Sequence, residues 1–202
     1  AVTGEGNRWE NIGAMMNRGI EVAIDGDIIR MNDFTWNLSA NFSYNKNKLL
    51  ELYNGVEEYV NSTTGLKYMV GHSVTEYFLN RYAGVNPANG DALWYTADGE
   101  LTTEFREDDK VMTGKTYESP WAGGFGTTFI WKGISLSAQF SWMAKRYVMN
   151  NDRFFEESNG IYSTYNQSKR LLYNRWKKPG DKAKFKSISL TESTPMSSRF
   201  VM

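Results

Sequence analysis

A strictly alternating stretch from Phe34 to Asn47 constrains the fold of this chain more than any other feature. Even positions from Phe34 to Tyr44 are apolar or aromatic, whereas odd positions from Thr35 to Asn47 are small, polar and uncharged. Because successive side chains of a strand point to opposite faces, the pattern predicts a β-strand with one apolar and one polar face. A soluble sandwich would bury the apolar face, whereas a membrane barrel would turn it towards lipid.

The residues before this stretch predict a partner strand. From Gly19 onward, apolar side chains recur on one face and acidic side chains on the other, and a short polar connection covers residues 30–33. Two such strands joined by a short connection form an antiparallel hairpin. We expect this hairpin to span residues 17–47. Its first strand presents these apolar residues on one face: Ile20, Val22, Ile24 and Ile28.

The alternation returns near residue 123 and predicts a second hairpin over residues 123–143. Its strands run from Gly124 to Trp131 and from Ile134 to Trp142, with a tight turn at Lys132 and Gly133. Aromatic residues again lie near the strand ends, and no charged residue falls on the apolar faces. A sandwich core and a lipid-facing barrel wall both exclude charged residues from the apolar face. The absence of charge therefore leaves both structures open.

Long segments of different character follow each hairpin. Residues 48–122 contain turn signals and predict short strands near 77–85 and 92–96, and residues 168–176 predict a short helix that buries Leu171 and Leu172. Short turns alternating with long excursions are typical of outer-membrane barrels, which have short periplasmic turns and long extracellular loops. We therefore predict an all-β fold, an antiparallel transmembrane β-barrel fragment with four clear strands in two hairpins and up to six strands in total.

Composition excludes several other function classes. Lysine plus arginine and aspartate plus glutamate both number 23, so the chain lacks the basic footprint of a nucleic-acid-binding protein. Cysteine is absent, and His72 is the single histidine, without an acidic cluster in its neighbourhood. We expect no catalytic residue, no metal, no cofactor and no nucleic-acid partner.

Several stretches, in the same order along the chain, resemble recurrent segments of SusC/RagA-type TonB-dependent outer-membrane transporters. Between Ala183 and Thr194 the sequence departs from that family pattern. The stretches are Asn11–Glu21, Asp33–Asn37 with Tyr44–Lys48, Tyr82–Asp91 with Leu93–Tyr95, Ser119–Pro120 before Gly123–Phe125, and Arg175–Trp176 before Pro179–Asp181.

The resemblance implies a protein much larger than this chain, a barrel of about 22 strands plugged by a separate domain. We therefore expect residues 1–202 to be a partial TonB-dependent receptor barrel domain from the C-terminal part of the barrel, with the plug domain absent. Its parts are expected to be the hairpin 17–47, an extracellular excursion 48–122, the hairpin 123–143 and an extracellular loop region 144–202.

The resemblance also implies a function. The parent protein is expected to import oligosaccharides or peptides through the outer membrane of a Gram-negative bacterium, in contact with outer-membrane lipid. A SusD-like surface lipoprotein is the expected partner, and the TonB energy-coupling system would act through the missing N-terminal part. The alternation of apolar and polar residues, taken alone, also supports an alternative to the importer. This alternative is a soluble all-β carbohydrate-binding module that stacks sugars on aromatic side chains.

Two sets of site residues follow from this interpretation. Polar residues opposite the apolar faces are expected to line the barrel lumen, and aromatic residues outside the regular strands are candidates for substrate contact. The lumen-lining candidates are Thr35, Asn37, Ser39, Asn41, Ser43, Asn45, Ser135, Ser137, Gln139 and Ser141. The substrate-contact candidates are Tyr82, Trp94, Tyr95, Tyr147, Phe154, Phe155, Tyr162 and Tyr165, for which loop packing and membrane-interface anchoring are the alternative roles.

Overall fold

The computed structural model describes residues 13–61 and 66–202, which form two compact units. Of the described residues, unit 1 comprises 13–61, 66–76 and 118–146, and unit 2 comprises 77–117 and 147–202. Asn11 and Ile12, which begin one stretch of the family resemblance, lie outside the described residues. In the described part of the chain, no helix has the length and apolar character needed to cross a membrane.

Short and long β-strands make up most of the regular structure in the described ranges. Two short helices, α1 (Asn151–Glu157) and α2 (Lys169–Asn174), occur late in the chain. The strands are β1 (Gly13–Arg30), β2 (Phe34–Leu52), β3 (Glu58–Val60), β4 (Lys67–Met69), β5 (Glu76–Leu79), β6 (Arg81–Val85), β7 (Ala92–Tyr95), β8 (Leu101–Thr102), β9 (Val111–Thr116), β10 (Trp121–Trp131) and β11 (Ile134–Ala144). The expected total of up to six strands was therefore too low.

The main sheet of unit 1 is an antiparallel meander with the strand order β1-β2-β10-β11. The two hairpins pair with each other through β2 and β10, so the prediction of four antiparallel strands in two hairpins is confirmed. The β10–β11 turn places Lys132 at φ 47° and Gly133 at φ 85°. Positive φ at both central residues matches the right-handed twist of the flanking strands, which explains the tight connection.

Strands β1 and β2 are longer than β10 and β11, with 18 and 19 residues against 11 each. A strand tilted through a bilayer needs about 9–11 residues, so β10 and β11 have the length of one crossing. The far end of β2 is covered by the segment after β4, whose His72 carbonyl accepts a hydrogen bond from the Leu49 amide at 2.8 Å. Leu49 and Leu52 are buried at this end.

Unit 2 is built from small sheets and helices around aromatic side chains. Strands β5 and β9 pair, and β6, β7 and β8 form a three-stranded sheet. Trp94, Phe185 and Phe200 are buried, with 2%, 2% and 0% of their surface exposed. The predicted helix is shorter than expected: Ser168 caps α2 by accepting a hydrogen bond from the Arg170 amide.

One prediction about α2 was wrong. Leu171 is buried, but Leu172 is 50% exposed. The helix has 6 residues, which is less than two turns, so its buried side has room for one leucine. Neighbouring positions on a helix face directions about 100° apart, and Leu172 therefore turns towards solvent.

Candidate functional site

The cross-strand register extends the alternation of β2 across the whole four-stranded sheet. Residues paired across an antiparallel sheet project to the same face, so rows of mainly apolar partners alternate with rows of mainly polar or small partners. The apolar rows are Ile20–Tyr44–Trp121–Ala144, Val22–Phe42–Gly123–Trp142, Ile24–Ala40–Phe125–Phe140 and Gly26–Leu38–Thr127–Ala138. The polar rows are Glu21–Ser43–Ala122–Met143, Ala23–Asn41–Gly124–Ser141, Asp25–Ser39–Gly126–Gln139 and Asp27–Asn37–Thr128–Ser137.

The apolar rows form a continuous outward band. Leu136 is 67% exposed and Phe140 is 54% exposed, and Trp36 and Leu38 lie half-buried on the same face. Within residues 13–61 and 66–202 these side chains do not meet one another across a closed core. A soluble carbohydrate-binding module of the kind considered above requires such a core, so this arrangement favours a lipid-facing wall over a sandwich.

Aromatic rings pack along this outward band at three levels. Near one end of the band, the rings of Tyr44 and Trp121 lie 4.2 Å apart, and near the other, the rings of Trp36 and Phe129 lie 5.7 Å apart. Between them, β2 carries Leu38 and Ala40, whereas Phe125 of β10 and Phe140 of β11 stack with their rings 4.7 Å apart. Aromatic residues near both ends of the apolar face are typical of the interfacial girdles of transmembrane barrels.

Gly123 provides space for a ring contact across β10. Phe42 on β2 and Trp142 on β11 flank Gly123, and their ring centroids lie 6.1 Å apart. A Cβ atom at Gly123 would lie 2.8 Å from the Trp142 ring and 2.6 Å from the Asn41 carbonyl oxygen. Only glycine therefore lets the two rings approach each other over the middle strand.

Thr127 is the polar exception on the outward band, and its hydroxyl has a partner. The Trp36 indole Nε1 donates a hydrogen bond to Thr127 Oγ1 at 2.9 Å. An unpaired hydroxyl or indole N–H facing hydrocarbon costs several kcal/mol, on the order of 2–7. This hydrogen bond therefore satisfies the Trp36 indole N–H and the Thr127 hydroxyl together.

The opposite face carries the lumen-lining candidates on the polar rows. Asn37 Nδ2 donates to Asp27 Oδ1 at 3.3 Å, and the hydroxyls of Thr128 and Ser137 lie 2.9 Å apart. Gly124 and Gly126 leave a shallow depression of about 330 Å³ between the side chains of β2 and β11. The structure places these candidates on this one face: Thr35, Asn37, Ser39, Asn41, Ser43, Asn45, Ser135, Ser137, Gln139 and Ser141.

The first group of substrate-contact candidates lies in the β6–β7 hairpin of unit 2. Trp94 is 2% exposed, and its ring packs edge-on against Tyr82 at 5.2 Å and Phe105 at 5.0 Å. Tyr95 is half-buried beneath the guanidinium of Arg81, 5.5 Å from its ring. Trp94 is therefore part of the packing of this hairpin, and Tyr95 is more accessible.

The second group forms a cluster around α1. The ring of Phe155 contacts those of Phe154, Tyr162 and Tyr165, and the ring of Phe154 contacts that of Phe200 at 5.3 Å. Tyr165 is 58% exposed, and the other candidates in the cluster are half-buried. Tyr147 stands apart from this cluster, with the ammonium of Lys115 5.2 Å from its ring.

A half-buried arginine that no sequence pattern singled out joins the two groups. The Arg199 guanidinium lies 5.4 Å from the Tyr82 ring and 5.0 Å from the Phe200 ring, and Nη2 donates to the Glu157 carbonyl at 2.8 Å. Burial lowers the pKa of Arg199, and burial raises the pKa of Tyr82 although the nearby Arg199 opposes that rise. No local sequence pattern marks Arg199, because its partners are distant in the chain.

The Glu157 side chain fixes the same region through its carboxylate. Glu157 is 1% exposed, and Oε2 accepts two hydrogen bonds from Arg153 while Oε1 lies 3.1 Å from Arg170 Nη1. One carboxylate therefore holds α1 against α2. In the described ranges, no group of histidine, cysteine, aspartate and glutamate residues is suited to hold a metal.

Comparison with known proteins bears on this outward band and its strand order. No protein-family model matches the chain. Over 95% of this chain, the sequence is 26% identical to the TonB-dependent receptor P39 of Formosa agariphila. Over 42% of this chain, it is 32% identical to the TonB-dependent receptor SusC of Bacteroides thetaiotaomicron. The structure of the RagAB peptide transporter matches 99% of the chain with a TM-score of 0.87 and 28% identity.

The resemblance to SusC/RagA-type TonB-dependent transporters is confirmed. The RagAB peptide importer in its open-open state matches the full chain equally well, with a TM-score of 0.88. The chain covers 22% of the length of P39, 9% of SusC and 22% of the matched RagAB chain. These relatives are receptors and transporters, and the antiparallel sheet matches part of the RagAB transporter fold.

The likeness to SusC/RagA-type transporters gives the two faces of the sheet a common explanation. A barrel wall needs apolar residues towards lipid and polar residues towards its interior, and β1, β2, β10 and β11 have this alternation in register. Within the described residues the barrel is not closed, since β1 and β11 each pair on one side only.

Proposed function

We propose that this chain is a section of the barrel of a TonB-dependent outer-membrane importer of oligosaccharides or peptides. The observation that carries the proposal is the outward band, in which apolar rows continue across four strands with Thr127, bonded to Trp36, as the polar exception. A charged residue at the bilayer midplane would cost roughly 2–4 kcal/mol, and the rows have none. Membership of an importer is supported by the likeness to SusC and to the RagAB peptide transporter.

The same likeness supports the proposed location and partners. TonB-dependent receptors such as SusC are outer-membrane proteins of Gram-negative bacteria, and we assign this chain to that membrane as part of a multi-pass barrel. A SusD-like surface lipoprotein is the proposed partner, since SusC-type and RagAB transporters are its relatives. The TonB system would supply energy through a part of the parent protein outside these residues, so the barrel section itself needs no catalytic group.

The polar rows are proposed to line the lumen. Their asparagine, glutamine and serine side chains are neutral and both donate and accept hydrogen bonds, which suits the hydroxyls of sugars and the amides of peptides alike. The aspartates of β1 lie on the same face, so water and polar substrates would meet a mildly acidic wall there.

Substrate contact is proposed for the accessible aromatics of unit 2. Tyr165, Tyr95 and Tyr147 keep part of their rings exposed and can stack on sugar rings or on peptide side chains. Trp94 and Tyr82 would then stabilise the β6–β7 hairpin that carries Tyr95. Tyr165 would pack on the cluster of Phe154, Phe155 and Tyr162.

Deletion of the gene for the parent protein tests the import function. The deletion strain should lose growth on at least one polysaccharide or peptide mixture supplied as the sole carbon source, and a plasmid copy should restore it. Growth equal to wild type on every glycan and peptide mixture of a broad panel would contradict the proposal.

A further inference from the structure

Two loops that are distant in sequence meet at the tip of the β6–β7 hairpin. The carbonyl oxygen of Pro87 in the turn accepts a hydrogen bond from Trp176 Nε1 at 2.9 Å and another from the Gly180 amide at 2.8 Å. Both loops belong to stretches that carry the family resemblance, residues 82–91 and 175–181. The structure therefore shows these stretches in direct contact with each other.

The Trp176 ring also packs on the glycine of the turn. A Cβ atom at Gly90 would lie 2.5 Å from ring atoms of Trp176, and Gly90 has a φ of +80°. Both the space and the backbone conformation therefore require glycine. The turn is closed by hydrogen bonds from the Asn86 amide to the Asp91 carbonyl and from the Gly90 amide to the Asn86 carbonyl, each 2.8 Å.

Trp176 is held in place from its own side of the contact. Its amide donates to the carbonyl of buried Phe185 at 2.8 Å, and Asp181 Oδ2 accepts from the amides of Lys177 and Lys178 at 3.0 and 3.1 Å. The indole therefore projects from a fixed loop. A fixed group with two contacts to one turn restrains both the position and the orientation of that turn.

We propose that Trp176 is a positioning residue for substrate binding, acting through the β6–β7 hairpin. This hairpin carries Tyr82, Trp94 and Tyr95. Strand β8 pairs with β7 at the open end of the hairpin, whereas the turn at the other end contacts Trp176 and Gly180. Trp176 packs on the turn, so it sets the hairpin geometry rather than touching substrate. The proposal rests on the proposed import function, because the substrate contact it serves is part of that function.

The experiment uses the full-length parent protein in its native outer membrane, with Trp176→Ala, Trp176→Phe and Gly90→Ala. Tritiated maltoheptaose and a tritiated casein hydrolysate are the probes, and uptake is measured against probe concentration. For the imported probe, Trp176→Ala and Gly90→Ala should raise the apparent KM about fivefold at unchanged maximal rate and unchanged protein level, as expected for the loss of about one hydrogen bond. Trp176→Phe should give a smaller rise, because it keeps a ring on Gly90 but loses the bond to Pro87.

Tyr173→Ala is the matched control, since Tyr173 is an aromatic residue of the same segment and is 70% exposed. It should leave uptake unchanged. An unchanged KM in Trp176→Ala, or a rise of the same size in Tyr173→Ala, overturns the proposal.

Hydrogen exchange on the purified full-length protein separates this proposal from the import function. In Trp176→Ala, the amides of Asn86 and Gly90 should exchange about tenfold faster, whereas those of β10 should not change. If the parent imports neither probe, the import function fails for these substrate classes, and faster exchange still supports the positioning role of Trp176. Unchanged exchange at the turn overturns the positioning role, whatever the uptake.

Discussion

The buried side chain of Glu157 links α1 and α2 in unit 2. Its carboxylate has guanidinium partners on both oxygens, Arg153 on Oε2 and Arg170 on Oε1. Removing one partner of a buried ion pair leaves the remaining charge without a counter-charge. The resulting loss of stability is larger than the net stabilisation that the intact pair provides. The carboxylate therefore matters to the fold of unit 2.

Glu157→Gln should destabilise unit 2 by about 3 kcal/mol, because the arginines keep their charge while their acceptor becomes neutral. Hydrogen exchange of the α1 and α2 amides in the detergent-solubilised full-length protein measures the change. Glu156→Gln, on the exposed side of the same helix, is the control and should have no effect. Equal protection in the two variants would contradict the role given to Glu157.

Tyr82 should titrate above the ordinary pKa of a tyrosine. Because burial raises its pKa, the folded form holds the phenol proton at a pH where the unfolded chain, with a pKa of about 10, has released it. The stability linked to this group is therefore complete below about pH 10 and falls as the pH rises through the folded pKa. Phenolate absorbance of the full-length protein, wild type minus Tyr82→Phe, should show its midpoint above pH 10, and a midpoint at or below 10 would count against this burial.

At the scale of elements, the four long strands could be predicted because their pattern is local. A period of two is visible within each strand, and a turn such as Lys132–Gly133 shows directly where a hairpin reverses. The register between β2 and β10 was not predictable in the same way, because the residues it joins are separated by the whole of the first excursion. The structure shows that the apolar rows continue across that junction.

The elements of unit 2 were harder to predict because their contacts are distant in sequence. The Tyr82 amide donates to Ser198 Oγ at 2.9 Å across 116 positions, and Arg199 reaches Tyr82 and Glu157 from near the end of the chain. Short strands and helices carry too few residues for a clear period. For the same reason Leu172 was wrongly placed on the buried side of α2.

The packing of Phe42 and Trp142 over β10 gives a prediction for this sheet. Gly123→Val should destabilise the full-length barrel by about 2 kcal/mol, because the new side chain meets the Trp142 ring and the Asn41 carbonyl. The midpoint of urea unfolding in lipid vesicles measures it. Gly26→Val is the control, since a Cβ at Gly26 meets nothing within 4 Å, and an equal loss in both variants would exclude the ring contact as the cause.

At the scale of the whole molecule, the four-stranded sheet leaves one side of β1 and one side of β11 unpaired within the described residues. Lipid offers no hydrogen-bond partner to such edges, so barrels cross membranes only when closed. The isolated 202-residue chain should therefore not insert stably into vesicles. Protease protection and a heat-modifiable band on gels, obtained from this chain alone, would show that expectation to be wrong.

In the barrel section that we propose, the apolar rows face lipid and the polar rows face the barrel interior. The chain contains no cysteine, so single cysteines can be placed on β11 in a cysteine-free version of the full-length parent. Spin labels at Leu136 and Phe140 should be reached by oxygen dissolved in the bilayer, whereas labels at Ser137 and Gln139 should be reached by a water-soluble nickel complex. This alternation along β11 is the result that the structure predicts, and equal accessibility at all four positions, or the reverse order, would contradict it.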